Sequence, residues 1–226
     1  MFTDRSEAGR LLADRVAERL AALHVTDPVI YALPRGGVPV AAEIAKRLDA
    51  PLDLVLVRKI GAPGYPEVAM GAVVDGADPQ TILNEDVFAA TGGDAAGLSR
   101  AGSRELAEIE RRRIRYLGDR SRISPAGRVA VIVDDGLATG ATAKAALAAV
   151  KRQGARLAVL AVPVAPADSI DDMLEYADEL IVLHAPREFW AIGPFYEDFH
   201  QLSDDETVEL LQAAWSRYDR TSTGEA

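Results

Sequence analysis

The chain has 226 residues, no cysteine and a formal net charge of -10. The absence of cysteine excludes disulfides and thiolate sites, and an acidic surface disfavours nucleic acid as the main partner because it repels phosphate backbones. No apolar run approaches the ~20 residues that span a bilayer, and the first residues lack the apolar stretch of a signal peptide. We therefore expect a single cytoplasmic domain, residues 1–226, that binds neither nucleic acid nor membrane.

The predicted elements alternate along the chain. An N-terminal amphipathic helix is indicated by apolar residues at helical spacing, namely Leu11, Leu12, Val16, Leu20 and Leu23. Strands buried on both faces are indicated by five near-continuous apolar runs, Val29–Leu33, Leu52–Val57, Val129–Val133, Leu157–Val162 and Leu180–Leu183. Helical patterns lie between most of them, at Val38–Leu48, Thr142–Gln153 and Ser169–Tyr176. This alternation predicts an α/β protein with an open, mostly parallel, doubly wound sheet of about five strands.

The second and third apolar runs are separated by about seventy residues. Within them we predict a hairpin, a glycine-marked loop and a long charged helix, at Val68–Val74 with Thr81–Leu83, at 92–97 and at Ser99–Leu117. Insertions of this size are often functional covers, so we expect a flexible insertion at about 60–127 on a core at about 26–184. The arginine-rich part of this insertion, 100–128, is typical of a solvated helix face. The alternatives are a contact with another subunit or electrostatic guidance of anions toward a site.

In open α/β sheets ligands bind beyond the carboxyl ends of the strands. The first predicted strand is followed by Arg35, Gly36 and Gly37, where glycines allow close approach of an anion and the helix N-terminus supplies amide donors. Arg58 and Lys59 follow the second run, and adjacent cations there require solvent or an anion. A tight turn and a solvated strand end are the alternative explanations for these two segments.

The strongest signal follows the third strand, where two acids, Asp134 and Asp135, precede Gly136. Successive side chains of a strand diverge, so the two acids can grip one diol or metal only if the chain turns, which Gly136 permits. Thr139, Gly140 and Thr142 then stand at the start of a helix, where hydroxyls and free amides make a phosphate cradle. This order predicts a site for a phosphorylated sugar, with threonine capping and solvated acids as the alternative.

The segment Val131–Thr142 resembles the 5-phosphoribosyl-1-pyrophosphate (PRPP) motif of type I phosphoribosyltransferases. Residues 34–37 resemble that family's pyrophosphate loop, in which a non-proline cis peptide often precedes the glycines, here at Pro34–Arg35. Arg58 and Lys59 are similar to its basic pair. The resemblance covers about 29–183, and the whole chain looks like predicted bacterial members whose acceptor is unassigned.

The resemblance implies a transfer of the phosphoribosyl group from PRPP to a nitrogen acceptor, such as a nucleobase, with release of pyrophosphate. Asp134 and Asp135 would hold the ribose hydroxyls, directly or through the expected cofactor Mg²⁺. PRPP, and its 5-phosphate above all, would be held by the loop residues Gly136, Ala138, Thr139, Gly140, Ala141 and Thr142. The residues that would bind pyrophosphate are Arg35, Gly36, Gly37, Arg58 and Lys59. The expected catalytic residues are Arg58 and Lys59 together with the two acids.

The acceptor is not readable from the sequence. Oxopurine-specific members usually carry an acid where this chain has Ala138, which argues against a hypoxanthine or guanine acceptor by that mechanism. The family covers the acceptor with a variable hood, here expected at about 185–226 with or without the N-terminal helix. Stacking candidates are Trp190, Phe195 and Tyr196, which could instead pack the tail onto the core. Many relatives form dimers.

Two other functions remain open on the same fold. One is a non-catalytic regulator that binds PRPP or a nucleotide. The acidic net charge and the absence of an added DNA-binding domain argue against a regulator of transcription. The other is a phosphosugar hydrolase or phosphorylase.

Overall fold

The computed structural model describes residues 1–62, 64–76, 78–91 and 94–223. Its strands are β1 (Val29–Ala32), β2 (Leu52–Leu54), β3 (Val57–Ala62), β4 (Tyr65–Val74), β5 (Gln80–Leu83), β6 (Val129–Val133), β7 (Leu157–Val164) and β8 (Glu179–His184). Five of them form a parallel sheet in the order β2-β1-β6-β7-β8, and the other three form an antiparallel sheet in the order β3-β4-β5. The predicted α/β class and the parallel five-stranded sheet are therefore confirmed.

Seven α-helices are found in the described residues. They are α1 (Arg5–Ala22), α2 (Gly37–Leu48), α3 (Glu85–Ala90), α4 (Ala95–Leu117), α5 (Ala141–Arg152), α6 (Ile170–Leu174) and α7 (Asp204–Thr223). None of these helices combines the length and the apolar character that a membrane crossing requires. The helix α3 was not predicted from the sequence, and Gly97, expected in a loop, lies in the first turn of α4, where its N–H donates to Asp94. Gly92 and Gly93 lie outside the described residues.

The apolar runs are continuous because both faces of the parallel sheet are buried. In β1, Ile30 and Ala32 pack into one core with residues of α1 and α2, whereas Val29 and Tyr31 pack into a second core with residues of α5. Alternate side chains of a strand point to opposite faces. A strand covered by helices on both sides therefore has no position that faces water, and alternation of polar and apolar residues disappears.

The second apolar run does not form one strand. The parallel strand β2 ends at Leu54, and Val57 begins β3 in the other sheet. Between them, Val55 and Leu56 are buried. The Val55 N–H donates to the Ala32 carbonyl, and the Leu56 N–H donates to the Asp75 carboxylate. The residues on both sides of the end of β2, from Leu52 to Leu56, are all buried, so apolar content alone could not reveal where the parallel strand ends. As a result Arg58 lies inside an antiparallel strand rather than at the end of a parallel one.

The tail expected to form one hood divides into two parts. Helix α7 packs against α2 and β2, where the Trp215 indole N–H donates to the Leu52 carbonyl at 2.8 Å. The preceding segment instead contacts the N-terminus, because Phe2 N–H donates to Phe195 and the N–H groups of residues 197 and 198 donate to residues 2 and 3. This segment lies near the carboxyl ends of β6 and β7, where Ile192 is beside Gly136, whereas α7 approaches the glycine turn through its first residue, Asp204.

Candidate functional site

The glycine turn after β1 packs directly onto the end of β6. A Cβ atom on Gly37 would lie 2.5 Å from the Val133 carbonyl oxygen, and one on Gly36 would lie 2.1 Å from Oδ2 of Asp135. Gly36 has a φ of -59°, so space rather than backbone conformation requires the glycine. The peptide bond Pro34–Arg35 is cis, as the family resemblance implied. The two loops identified in the sequence therefore form one site.

The loop after β6 offers free amides at a helix N-terminus. Helix α5 begins only at Ala141, and its cap is Gly140, which has a φ of 70° and makes no side-chain capping bond. Within the described part of the chain, no hydrogen bond uses the N–H groups of Ala138, Thr139 and Gly140 or the hydroxyls of Thr139 and Thr142. These donors, together with the helix dipole, are suited to an anion.

The two acids after β6 have different surroundings. Asp135 is 8% exposed, and its Oδ2 accepts a hydrogen bond of 2.8 Å from Nε of Arg5. Asp134 is partly exposed, and its Oδ1 accepts from the Asp135 N–H at 2.9 Å. Although the residue as a whole keeps some exposed surface, the carboxyl group has lost most of its hydration, which raises the pKa of Asp134 well above its usual value, and the neighbouring charge of Asp135 raises it further. Burial also raises the pKa of Asp135, but Arg5 opposes that shift.

The predicted cations lie on both sides of the site. Lys59 is exposed and lines, with Thr139, an open cleft of about 600 Å³ between the antiparallel sheet and α5. Arg58 lines a cavity of about 30 Å³ that Pro34 and Thr142 share. Arg58 is paired with Glu105 at 2.8 Å. An incoming anion would therefore compete with a carboxylate for this guanidinium.

Arg35 also has an acidic neighbour. Its guanidinium lies 3.8 Å from Asp204, the first residue of α7, which also accepts a hydrogen bond from Tyr116 at 2.5 Å and pairs with Arg115 at 2.9 Å. Asp204 thus joins the pyrophosphate loop to α4 and α7. Sequence reasoning missed Asp204, because nothing in its local pattern distinguishes it from the other acids of the tail.

The arginine-rich helix α4 has two kinds of arginine. Arg111 and Arg113 pair with Glu108 and Glu110 on the same helix, which agrees with the predicted solvated face. Arg112 also pairs with Glu108, at 2.9 Å, but in addition it lines the small cavity beside Arg58 and Pro34. Spacing along the helix did not separate it from its neighbours.

The aromatic residues of the tail are not equivalent. Trp190 is 93% exposed, whereas the Phe195 ring stacks on Phe189 at 5.8 Å. Tyr196 is 5% exposed, its ring lies between Phe2 and Phe199, and its hydroxyl donates to the Asp135 carbonyl at 2.6 Å. The burial of Tyr196 favours the alternative given above, in which this residue packs the tail onto the core. It also braces the acid-bearing loop.

The donor set fits a Mg²⁺ ion that arrives with a phosphorylated ligand. Within the described residues no group of three or more histidine or acidic side chains could cage an ion. Mg²⁺ is typically held by one or two carboxylates together with substrate phosphates. Asp134, partly exposed beside the pyrophosphate loop, is the carboxylate that such an ion would meet.

These features place an acid pair, free amides and a glycine turn together at the carboxyl end of a doubly wound sheet. A model of the phosphoribosyl transferase domain family matches residues 4–200. The chain belongs to this family and has the type I phosphoribosyltransferase fold.

Relatives of known sequence and structure agree with this assignment. The chain is 49% identical over 214 residues to a Mycobacterium tuberculosis protein whose naming as a phosphoribosyl transferase is provisional, and the match is the same in strains CDC 1551 and H37Rv. The match covers 95% of this chain but 47% of the relative, so the chain spans about half the length of the curated proteins it resembles. The crystal structure of TT1426 from Thermus thermophilus is similar with 41% identity and a TM-score of 0.81, covering 94% of this chain and 98% of that one.

Proposed function

We propose that this chain binds PRPP and transfers its phosphoribosyl group to a nitrogen acceptor, with release of pyrophosphate. The observation that carries the proposal is the loop after β6. There a partly exposed acid is followed by unpaired amides and hydroxyls at the start of α5, and the glycine turn after β1 packs against the same acids. This combination suits a ligand with a diol between two phosphate groups.

The reaction would be a displacement at the anomeric carbon. The bond from this carbon to pyrophosphate oxygen breaks with its electron pair, a bond to the acceptor nitrogen forms, and the acceptor loses a proton to solvent or to the departing pyrophosphate. The transition state has oxocarbenium character, so the protein's task is positioning and charge stabilisation. The amides of 138–140 would fix the 5-phosphate, and Asp134 would fix the ribose.

The leaving group would be received by the residues around the glycine turn. Arg35, Arg58 and Lys59 supply positive charge, and exchanging Glu105 or Asp204 for pyrophosphate would keep the guanidinium groups paired. Bound Mg²⁺ would supply further charge neutralisation of the pyrophosphate oxygens. The antiparallel sheet that carries Arg58 and Lys59 borders the open cleft, so it is suited to cover the ligand and exclude water.

Trp190 is the best candidate for contact with the acceptor. Its indole is almost entirely exposed, and a large aromatic surface in that state is suited to stacking on a flat heterocycle. Ala138 is also exposed and provides no acid for an oxopurine nitrogen. We therefore propose a heterocyclic acceptor that is held by stacking and does not need an acid at this position.

Calorimetry with PRPP and Mg²⁺, followed by pyrophosphate release with a panel of heterocyclic bases, tests the proposal. The double variant D134N/D135N should lose PRPP binding while it keeps the far-UV circular dichroism of the wild type. The matched control is D168N/D171N, which makes the same change of charge at two exposed acids and should bind normally. Normal binding by D134N/D135N would falsify the site assignment.

The same experiment separates the other functions. Binding of PRPP without turnover of any base would indicate the regulator. Release of pyrophosphate without an acceptor, at the rate seen with one, would indicate the hydrolase.

A further inference from the structure

The N-terminal residues and the tail form a small paired structure beside the site. We call Phe2–Arg5 together with Phe195–His200 the terminal clasp. Phe2 forms a parallel bridge with Tyr196, and its ring lies 5.3 Å from the Tyr196 ring. Arg5, the first residue of α1, connects this clasp to the loop after β6.

Arg5 makes three kinds of contact, one to the loop after β6 and two to the tail segment of the clasp. Its Nε donates to Oδ2 of Asp135 at 2.8 Å, and its Nη1 donates to the His200 carbonyl at 3.0 Å. Its guanidinium carbon lies 3.9 Å from the centre of the Phe199 ring. Only 9% of the Arg5 side chain and 11% of the Asp135 side chain are exposed, so the pair is almost completely removed from water.

An ion pair this deeply buried is not explained by stability alone. Removing two charges from water costs several kcal/mol per ion, so apolar replacements of such pairs are often as stable as the pair. What a buried pair does is hold each of its two charged groups in a fixed orientation. Here the fixed group is one of the two acids on which the proposed sugar site depends.

The glycine turn gives an independent reason to place the Asp135 carboxylate away from the ligand. Its Oδ2, the oxygen held by Arg5, would lie 2.1 Å from a Cβ atom on Gly36. The carboxylate is therefore enclosed between the Arg5 guanidinium and the backbone of the turn. The Asp135 carbonyl is also engaged, by the Tyr196 hydroxyl. Asp134 is left as the partly exposed member of the pair.

We infer that Arg5 is a positioning residue, which holds Asp135 as a structural support so that Asp134 alone contacts the ribose. This inference rests on the proposed function and changes one part of it, since the family resemblance assigns both acids to the sugar. The clasp thereby links the first residues of the chain to the sugar site, although Arg5 and Asp135 are 130 positions apart.

Titration calorimetry of PRPP with Mg²⁺ against five chains tests the inference: wild type, D134N, D135N, R5M and R5M/D135N. D134N should weaken binding by more than about tenfold, whereas D135N should weaken it by less than about threefold, because asparagine still accepts from Arg5. R5M leaves a buried carboxylate unpaired next to Asp134, so it should weaken binding by about tenfold or more. Adding D135N to R5M should restore most of that loss, because no unpaired charge remains.

A merely structural role of Arg5 would not give this pattern. Loss of packing alone would make R5M/D135N at least as weak a binder as R5M. The conservative variant R5K keeps the charge but not the planar fork, so it should fall between wild type and R5M.

Three results would overturn the inference. The first is a D135N variant as impaired as D134N, which would return Asp135 to the sugar. The second is a double variant no better than R5M. The third is R5M with wild-type affinity. If R5M does not fold, as judged by thermal unfolding, the comparison of D134N with D135N decides alone. Absence of PRPP binding by the wild type would instead overturn the proposed function, and the inference with it.

Discussion

Single residues at the end of β6 decide how close the two loops of the site can come. Gly36 is required because any side chain there would collide with Asp135, and Gly37 because it lies against the Val133 carbonyl. The sequence marked these glycines as a turn or an anion-binding loop, and it could not distinguish the two. The distances favour close approach of two backbone segments over a conformational need for glycine.

The variant Gly36→Ala should destabilise the fold by about 1–3 kcal/mol, as overpacking does, because the new Cβ must displace the Asp135 carboxylate from Arg5. The free energy of unfolding in urea measures this effect. Gly102→Ala in α4 is the matched control. Its Cβ would have no neighbour closer than 3.8 Å, so the change should stabilise the helix by up to about 1 kcal/mol. The free energy of unfolding should therefore fall for Gly36→Ala and rise for Gly102→Ala. An unchanged free energy of unfolding for Gly36→Ala would contradict the close approach of Gly36 to Asp135.

At the scale of elements, the antiparallel sheet is attached to the parallel one by a buried acid. Asp75, at the end of β4, is 6% exposed; its Oδ1 accepts from the Leu56 N–H at 2.8 Å, and its Oδ2 lies 3.3 Å from Arg122. Burial raises the pKa of Asp75 to about 6, against the opposing hydrogen bond from Leu56 and the charge of Arg122. The nearby charge of Asp53 adds to the rise, and that of Arg113 lowers it.

This raised pKa predicts a specific dependence of stability on pH. Between about pH 4 and pH 6 the folded chain binds more protons at Asp75 than the unfolded chain, whose pKa is about 3.9. The stabilising contribution of the protonated acid is therefore complete below about pH 4 and is lost as the pH rises through about 6.

The variant Asp75→Asn cannot titrate and still offers an acceptor to Leu56. Its free energy of unfolding, relative to wild type, should therefore rise by about 1–3 kcal/mol between pH 4.5 and pH 7.5. Urea unfolding of both chains at the two pH values measures this difference, in which the contributions of Asp53 and the neighbouring arginines largely cancel. Parallel pH profiles for the two chains would contradict the assignment.

At the scale of the whole molecule, an acidic chain places several cations around the proposed site. The formal net charge is -10, yet Arg35, Arg58, Lys59 and Arg112 lie around the glycine turn and the cleft beside it. A positively charged site on an otherwise acidic surface favours small anions over polyanions. The acidic surface around the site repels a long phosphate backbone.

Binding of PRPP should therefore stabilise the folded chain as a whole. At a ligand concentration of 100 times Kd the gain is about 2.7 kcal/mol, which for a chain of this size raises Tm by roughly 5–10 °C. Thermal unfolding with and without PRPP and Mg²⁺ measures it. The D134N/D135N variant should show no shift. A shift of equal size in that variant would mean that the ligand binds elsewhere.

Much of the fold follows from local pattern. The five strands of the parallel sheet and the helices α2, α4 and α5 were predicted within a few residues, because a strand covered on both faces must be apolar throughout. The loop after β6 was predicted from its own residues, since an acid pair, a glycine and threonines at a helix start are all local. The division of the run Leu52–Val57 between two sheets was not predicted, because the run is buried without a break from Leu52 to Leu56, beyond the end of β2.

The sequence by itself determined the class of fold, the family and the segments that form the site, because each depends on residues adjacent in the chain. Only the tertiary structure decided which members of those segments are available to a ligand. It enclosed Asp135 with Arg5, buried Tyr196 between Phe2 and Phe199 and left Trp190 exposed. The reason is that availability depends on neighbours brought together across the fold, such as a pair 130 positions apart, and no local spacing records them.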